Sequence, residues 1–193
     1  MVDFVVTLVN TENSGFSDDR LEEIEQATLQ AARLWGRYFD APDVTLEIDL
    51  DLSGEFGRAG GSSPQTAIIE TTEDGTQVFS YVSIVELQTG LDTNFDSVDI
   101  DLFLDPQNTP QGLDLVSLLV HELGHAFGFN GNGLGLPIAD LPNLPVQSVF
   151  DSFLENIDGV TVFTGETTRS IAGWNMEFSG SIRSSGLATE FGL

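Results

Sequence analysis

One amphipathic stretch limits the fold more than any other part of the chain. Val116, Leu119, Val120, Leu123 and Phe127 recur at i, i+3, i+4, i+7 and i+11, the spacing that lines one face of an α-helix with apolar side chains. At about 100° per residue, His121 and His125 stand some 40° apart on the opposite face, with Glu122 beside them. Such a helix needs a core against one side and an opening along the other. Leu118 is the apolar residue nearest the histidine side and is expected to line that opening. Gly128 follows, where a helix can stop in a left-handed turn.

The polar face has a specific chemistry. His121-Glu122-Leu123-Gly124-His125 has the H-E-x-x-H spacing, in which two imidazoles one turn apart grip a zinc ion and the glutamate acts as base toward its bound water. The chain has 193 residues and 2 histidines, both in this helix. The expected roles are His121 and His125 as metal ligands and Glu122 as the catalytic general base. A solvated face that carries the three residues by chance is the plainer alternative. The apolar run before them and the glycine after them weigh against it.

The stretch from His121 to Phe129 resembles the active-site helix of zincin metallopeptidases, more narrowly the metzincin and bacterial leishmanolysin-like branches, which carry a glycine where Gly128 stands. Ser148 to Leu154 also resembles the segment that follows this helix in bacterial leishmanolysin-like peptidases. The resemblance implies a zinc-dependent endopeptidase acting on protein or peptide substrates. It also implies an α+β, zincin-like fold in which a mixed twisted sheet backs the active helix and an edge strand runs along the cleft. Metzincins place their third ligand where this chain has Gly131, and leishmanolysin-like enzymes take a later histidine, of which there is none after His125. A third ligand must then be a carboxylate, or the site is incomplete. Asp151 and Glu155 lead, one turn apart on a short helix predicted over 148–156; Asp140 and Glu177 are weaker choices. Met176 is a candidate for the methionine turn that the resemblance places beneath the metal, with ordinary core filling as the alternative.

Composition narrows the remaining choices. With 31 acidic against 6 basic residues the net charge is -25, a surface that repels phosphate and argues against nucleic-acid or anionic-membrane partners. No cysteine is present, so thiol catalysis and disulfides are excluded. Both histidines are already committed, which disfavours a Ser-His-Asp triad. A monomer is expected. No stretch approaches the ~20 apolar residues of a membrane span. No signal peptide is legible in Met1–Val6; the acidic surface suits a salty or calcium-rich medium or is merely well solvated, and an extracellular location is expected. Calcium is a second candidate ion, through the paired aspartates Asp49 and Asp51 or Asp99 and Asp101, although the missing D-x-D-x-D-G loop favours plain solvent-facing acids. The non-enzymatic alternatives are a degenerate peptidase fold that binds peptide or metal without turnover, and an acidic calcium-dependent adhesion domain.

A single domain is expected, with 1–129 forming the sheet and active helix and 130–193 a smaller irregular part. Val2–Val9 reads as a strand, and Ser17 starts a helix that carries Leu21, Ile24, Thr28, Ala31, Trp35 and Tyr38 to about Phe39. Trp35 reads as a core anchor. Val44–Leu52 alternates as a half-buried strand, and 54–63 reads as a glycine-rich loop without a phosphate motif. Thr66–Thr72 and Gln77–Val85 read as strands joined at Asp74-Gly75, and Val98–Leu104 as another. Thr109-Pro110 is the expected cap of the active helix. The proline-rich 134–145 loop is a candidate wall of the cleft that would select an apolar substrate side chain, with simple covering of the core as the alternative. Asp158-Gly159 reads as a turn into a strand over Val160–Phe163.

Overall fold

The alternation of Val44–Asp51 (β2) organises the observed fold: Leu46, Ile48 and Leu50 are buried on one face while Thr45 and Glu47 are exposed on the other. The computed structural model describes residues 2–41, 43–54, 59–95, 97–105, 109, 113–129, 146–157, 160–164 and 176–177. Val2–Val9 (β1) runs parallel to β2, in register from Val2↔Val44 to Val9↔Asp51. Ile100–Phe103 (β6) lies parallel on the other side, from Ile48↔Ile100 to Asp51↔Phe103. Gly60–Ser62 (β3) pairs antiparallel with β6, so the order is β1-β2-β6-β3. The architecture is mixed α+β.

Parallel neighbours need a crossover, and Asp18–Gly36 (α2) supplies the one between β1 and β2. Ser17 caps it by accepting the Arg20 N–H at 3.4 Å, with Asp18 and Asp19 in the first turn, where carboxylates favour the helix dipole. Ile24, Ala31 and Ala32 of α2 close over Leu46, Ile48, Leu50, Ile100 and Leu102 of the sheet. Leu119 and Leu123 of Leu115–Ala126 (α4) complete the same core.

The chain divides into two compact units, Met1–Ala67 with Tyr81–Phe129, and Ile68–Ser80 with Asn130–Leu193. The first holds the four-stranded sheet, α2, α4, the short helix Thr11–Ser14 (α1) and the helix Val82–Thr89 (α3). The second holds most of the sheet formed by Thr66–Thr71 (β4), Gln77–Tyr81 (β5) and Val146–Ser148 (β7). It also holds a sheet of Leu154–Ile157 (β8), Val160–Phe163 (β9) and Met176–Glu177 (β10).

Several expectations are corrected here. The 54–63 loop contains the edge strand β3, too short and too glycine-rich to show an alternating pattern. A Cβ on Gly61 would collide with the backbone carbonyl oxygen of Glu122, and one on Gly60 with the Phe103 ring. Glycine at these positions lets the edge strand lie directly against α4. The α2 helix stops at Gly36, and Tyr38 is 82 % exposed. The strand expected through Val85 ends at Tyr81, after which Val82, Ser83, Glu86 and Leu87 are buried at helical spacing in α3. The α3 helix ends on Gly90 at φ 69. The α4 helix begins under Asp114, whose Oδ1 accepts the Ser117 N–H at 3.2 Å. Thr109 instead donates its hydroxyl to the Asp105 carbonyl at 2.6 Å, and Pro110 lies outside the described residues.

The helix expected over 148–156 is replaced by β7, a 3-10 turn at Asp151–Phe153 and β8. Leu154–Ile157 pairs antiparallel with β9 in register Ile157↔Val160. Hairpin pairing across a two-residue connection overrides the helical spacing of Phe150, Phe153 and Leu154. Thr72–Thr76 turns the chain as expected, with Asp74 Oδ1 accepting the Thr76 N–H at 3.1 Å and Gly75 at φ 86.

Glu86 is an unusual core group in the first unit, 1 % exposed. Burial, and then the nearby Asp99 carboxylate, push it up to about 6. Its folded value lies above its unfolded one, so its contribution to stability is fully present below about pH 4.5 and lost as pH rises through about 6. In chelator-treated buffer, raising the pH from 4.5 to 7 is expected to remove about 1 kcal/mol of stability through this group. Denaturant melts of wild type and Glu86→Gln check it. The loss is smaller by about that amount in the variant; an identical loss in both would contradict the assignment.

Candidate metal centre

The histidine helix is held at both ends by its own sequence. At the start, Asp114 caps it and its Oδ2 accepts the Ser117 hydroxyl at 2.6 Å. At the end, Gly128 takes φ 86, the left-handed conformation that glycine adopts without a Cβ penalty. The Gly128 N–H then reaches the His125 carbonyl and the Phe129 N–H the Gly124 carbonyl, both at 3.0 Å. This is a Schellman termination, which satisfies carbonyls that a helix end otherwise leaves unpaired.

That turn has a consequence for the site. It brings the Phe129 carbonyl back to His125 Nδ1 at 3.2 Å. With Nδ1–H donating to the carbonyl, the accepting lone pair sits on Nε2, the tautomer a metal ligand needs. A backbone carbonyl on the far nitrogen of a histidine is a common way to orient a ligand ring.

The helix faces divide much as the spacing predicts. Leu115, Leu119, Leu123, Ala126 and Phe127 are buried in the core. His121 is exposed and His125 half-buried. Their ring centroids lie 4.8 Å apart with planes at 85°. One ligand atom from each of His121, Glu122 and His125 lies within 4.8 Å of the others, a cluster that can hold a metal ion. Leu118, expected to line the opening, is partly buried against the core.

Glu122 is only 7 % exposed, deeper than a helix-surface position suggests. The edge strand accounts for part of this, since Gly61 sits against the Glu122 backbone. On the other flank Trp35 of α2 packs over Gly124, where an added Cβ would meet the indole at 3.3 Å. Trp35 donates its Nε1–H to the Val120 carbonyl at 2.8 Å, and its ring stacks on Phe39 and tilts against Phe127 and Phe129. The core anchor expected in Trp35 is therefore also a brace for the histidine helix. The Phe129 carbonyl was missed in the sequence because a backbone group has no residue signature; Gly128 is its only trace.

The candidate third ligands fall in the second compact unit, and the cluster described in the first is His121, Glu122 and His125. Asp151 belongs to the 3-10 turn and Glu155, exposed, to β8. They do not share one face of a helix, which removes the reason for pairing them. Glu177 and Met176 form β10, with Met176 opposite Phe163. Asp140, Gly131 and the 134–145 loop lie outside the described residues. Asp49 pairs in register with Asp101; burial first, then the Asp49 and Asp51 charges, raise Asp101 above the usual carboxylate range. Asp51 is engaged locally, its Oδ1 accepting from Asn10 Nδ2 at 3.1 Å and the Ser53 N–H at 2.6 Å.

Replacing Gly128 by Ala tests the link between helix end and ligand. Strain at φ 86 is expected to cost about 1 kcal/mol of stability. Loosening the Phe129 carbonyl is expected to weaken metal binding by about tenfold. Metal titration alongside thermal melts checks it, and unchanged affinity with the stability loss present would show that the carbonyl does not orient His125.

Comparison of the chain with protein-family models, with curated proteins and with solved structures gave no match. The chemistry of the centre therefore rests on its own donor set, two imidazoles and a carboxylate on one helix.

Proposed function

We propose that the chain is a zinc-dependent endopeptidase of zincin-like fold, with His121 and His125 as metal ligands and Glu122 as general base. The observation that carries this is the ordered His-Glu-His cluster, with His125 oriented through Nδ1 by the Phe129 carbonyl. Imidazole nitrogen suits zinc better than the hard cations calcium and magnesium. A zinc ion there would polarise a substrate carbonyl and lower the pKa of a coordinated water to about 7.

The side chains do the rest. Glu122, next to the ligands and largely shielded from solvent, accepts the proton of the attacking water and delivers it to the departing amine. The mixed sheet behind α4 and the antiparallel edge strand beside it support the zincin-like reading. An extended peptide laid along that edge would pair with backbone groups and be read at alternate side chains.

The second reading is a peptidase-like fold that binds metal or peptide without turnover. One observation favours it: Gly131 offers no side chain where the resembled metzincins place their third ligand. Catalytic zinc sites ordinarily keep three protein ligands. Digestion of casein by the zinc-loaded chain separates the two. Cleavage that a chelator stops and added zinc restores supports the enzyme; bound zinc with no chelator-sensitive cleavage supports binding without turnover.

A further inference from the structure

The carboxylate of Glu86 has a partner on one oxygen only. Its Oε1 accepts the Thr93 N–H at 2.7 Å and the Thr93 hydroxyl at 3.1 Å. Its Oε2 is buried and has no hydrogen-bond partner among the described residues. Asp99, 3 % exposed, lies against it and is itself firmly placed. One Asp99 oxygen accepts the Glu47 N–H at 2.7 Å, the other the Asn94 amide at 2.9 Å. The Asn94 amide also reaches the Val98 carbonyl at 3.3 Å.

Two carboxylates, an amide and a backbone carbonyl thus converge under the loop between α3 and β6. No basic side chain acts on Glu86 among the described residues. Leaving a buried carboxylate oxygen without a counter-charge or a donor is costly. We propose that Glu86, Asp99 and Asn94 form a calcium site that ties the 90–99 loop to the start of β6.

The donor chemistry selects the ion. Every available donor is oxygen, which suits a hard cation and not zinc or copper. Calcium accepts irregular sets of carboxylate, amide and carbonyl oxygens, whereas magnesium demands near-ideal octahedral geometry and keeps its waters. The orientation of an asparagine amide follows the surrounding network. With an ion there, the Asn94 amide would present its oxygen to the ion in place of the nitrogen that now donates to Asp99 and the Val98 carbonyl. The site is separate from the histidine cluster and does not depend on the proposed peptidase activity.

The test is calorimetric titration of the chelator-treated full chain with calcium chloride at pH 7.5, with magnesium chloride as a second arm. The expected result is one calcium per chain with Kd of about 1 mM or tighter, and at least tenfold weaker binding of magnesium. Glu86→Gln, which keeps the size and the Thr93 bonds, is expected to weaken calcium binding by about tenfold or more. Asp49→Asn, on the open face of the sheet, should leave it unchanged. If Glu86→Gln does not fold, Asp99→Asn replaces it with the same expected loss, since asparagine retains an acceptor for the Glu47 N–H. Equal calcium binding by wild type and variant would assign the ion to the diffuse acidic surface and overturn the proposal. No binding at pH 7.5 would also overturn it.

Discussion

Glu122→Gln is expected to lower peptide hydrolysis by about 10²–10⁴-fold while zinc content stays that of wild type. Gln fills the volume of Glu and accepts a hydrogen bond, but it cannot take a proton from water at neutral pH. The choice of Gln over Ala follows from the burial of Glu122 at 7 % exposure, because truncation there would also disturb packing beside β3. The helix itself should be unaffected, since its cap at Asp114 and its termination at Gly128 lie at its ends. Initial rates on a fluorogenic peptide, with zinc measured on the same samples, check the prediction. More than a few per cent of wild-type activity in the variant would remove Glu122 from the role of base. Loss of zinc together with activity would make it a ligand instead.

His125→Ala is expected to have the largest effect on the metal. Outer-shell partners of zinc ligands are commonly worth 10–100-fold in affinity, so loss of a ligand is expected to cost more than about 100-fold. Activity should vanish with the metal. The metal-free protein should lose little, about 1 kcal/mol for the bond to the Phe129 carbonyl. The reason is geometric: Leu119, Leu123 and Ala126 form the core face of α4 at 0–1 % exposure, while His125 is only half-buried. Removing the ring opens no large core cavity. Zinc titration with a competing chelator and apo-state melts measure the two effects separately. A much lower apo melting temperature would mark His125 as a packing residue and weaken the metal assignment.

The parts of the fold legible in the sequence were those with long regular patterns. Val2–Val9, Val44–Asp51 and the α2 and α4 helices each carry enough apolar positions at one period to identify the element. The cluster was legible for the same reason, since i and i+4 on a helix must share a face. Short elements were not. The β3 strand has three residues, two of them glycine, and exists because β6 offers an edge and α4 leaves room only for glycine. The α3 helix was hidden by Val82-Ser83-Ile84-Val85, whose β-branched residues suit a strand locally. Packing overrides that preference by burying Ser83, whose hydroxyl donates to the Ala126 carbonyl at 3.0 Å, and Glu86. The 148–156 segment went the other way, because helical spacing over nine residues is weaker than antiparallel pairing with a neighbour four residues long. Glu86 carried no sequence signal at all, since nothing local distinguishes a buried acid from a solvated one in so acidic a chain.

The central claim is that the two histidines hold the metal. Because the chain carries a net charge of -25, bound zinc by itself would not establish this, as surface carboxylates also take up the ion. The direct measurement is the zinc-edge X-ray absorption spectrum of the chain loaded with one equivalent of zinc. The expected spectrum shows two imidazole nitrogens at about 2.0–2.1 Å with oxygen completing the shell, and one imidazole fewer in His121→Ala. An all-oxygen shell, or a spectrum unchanged by His121→Ala, would contradict the account.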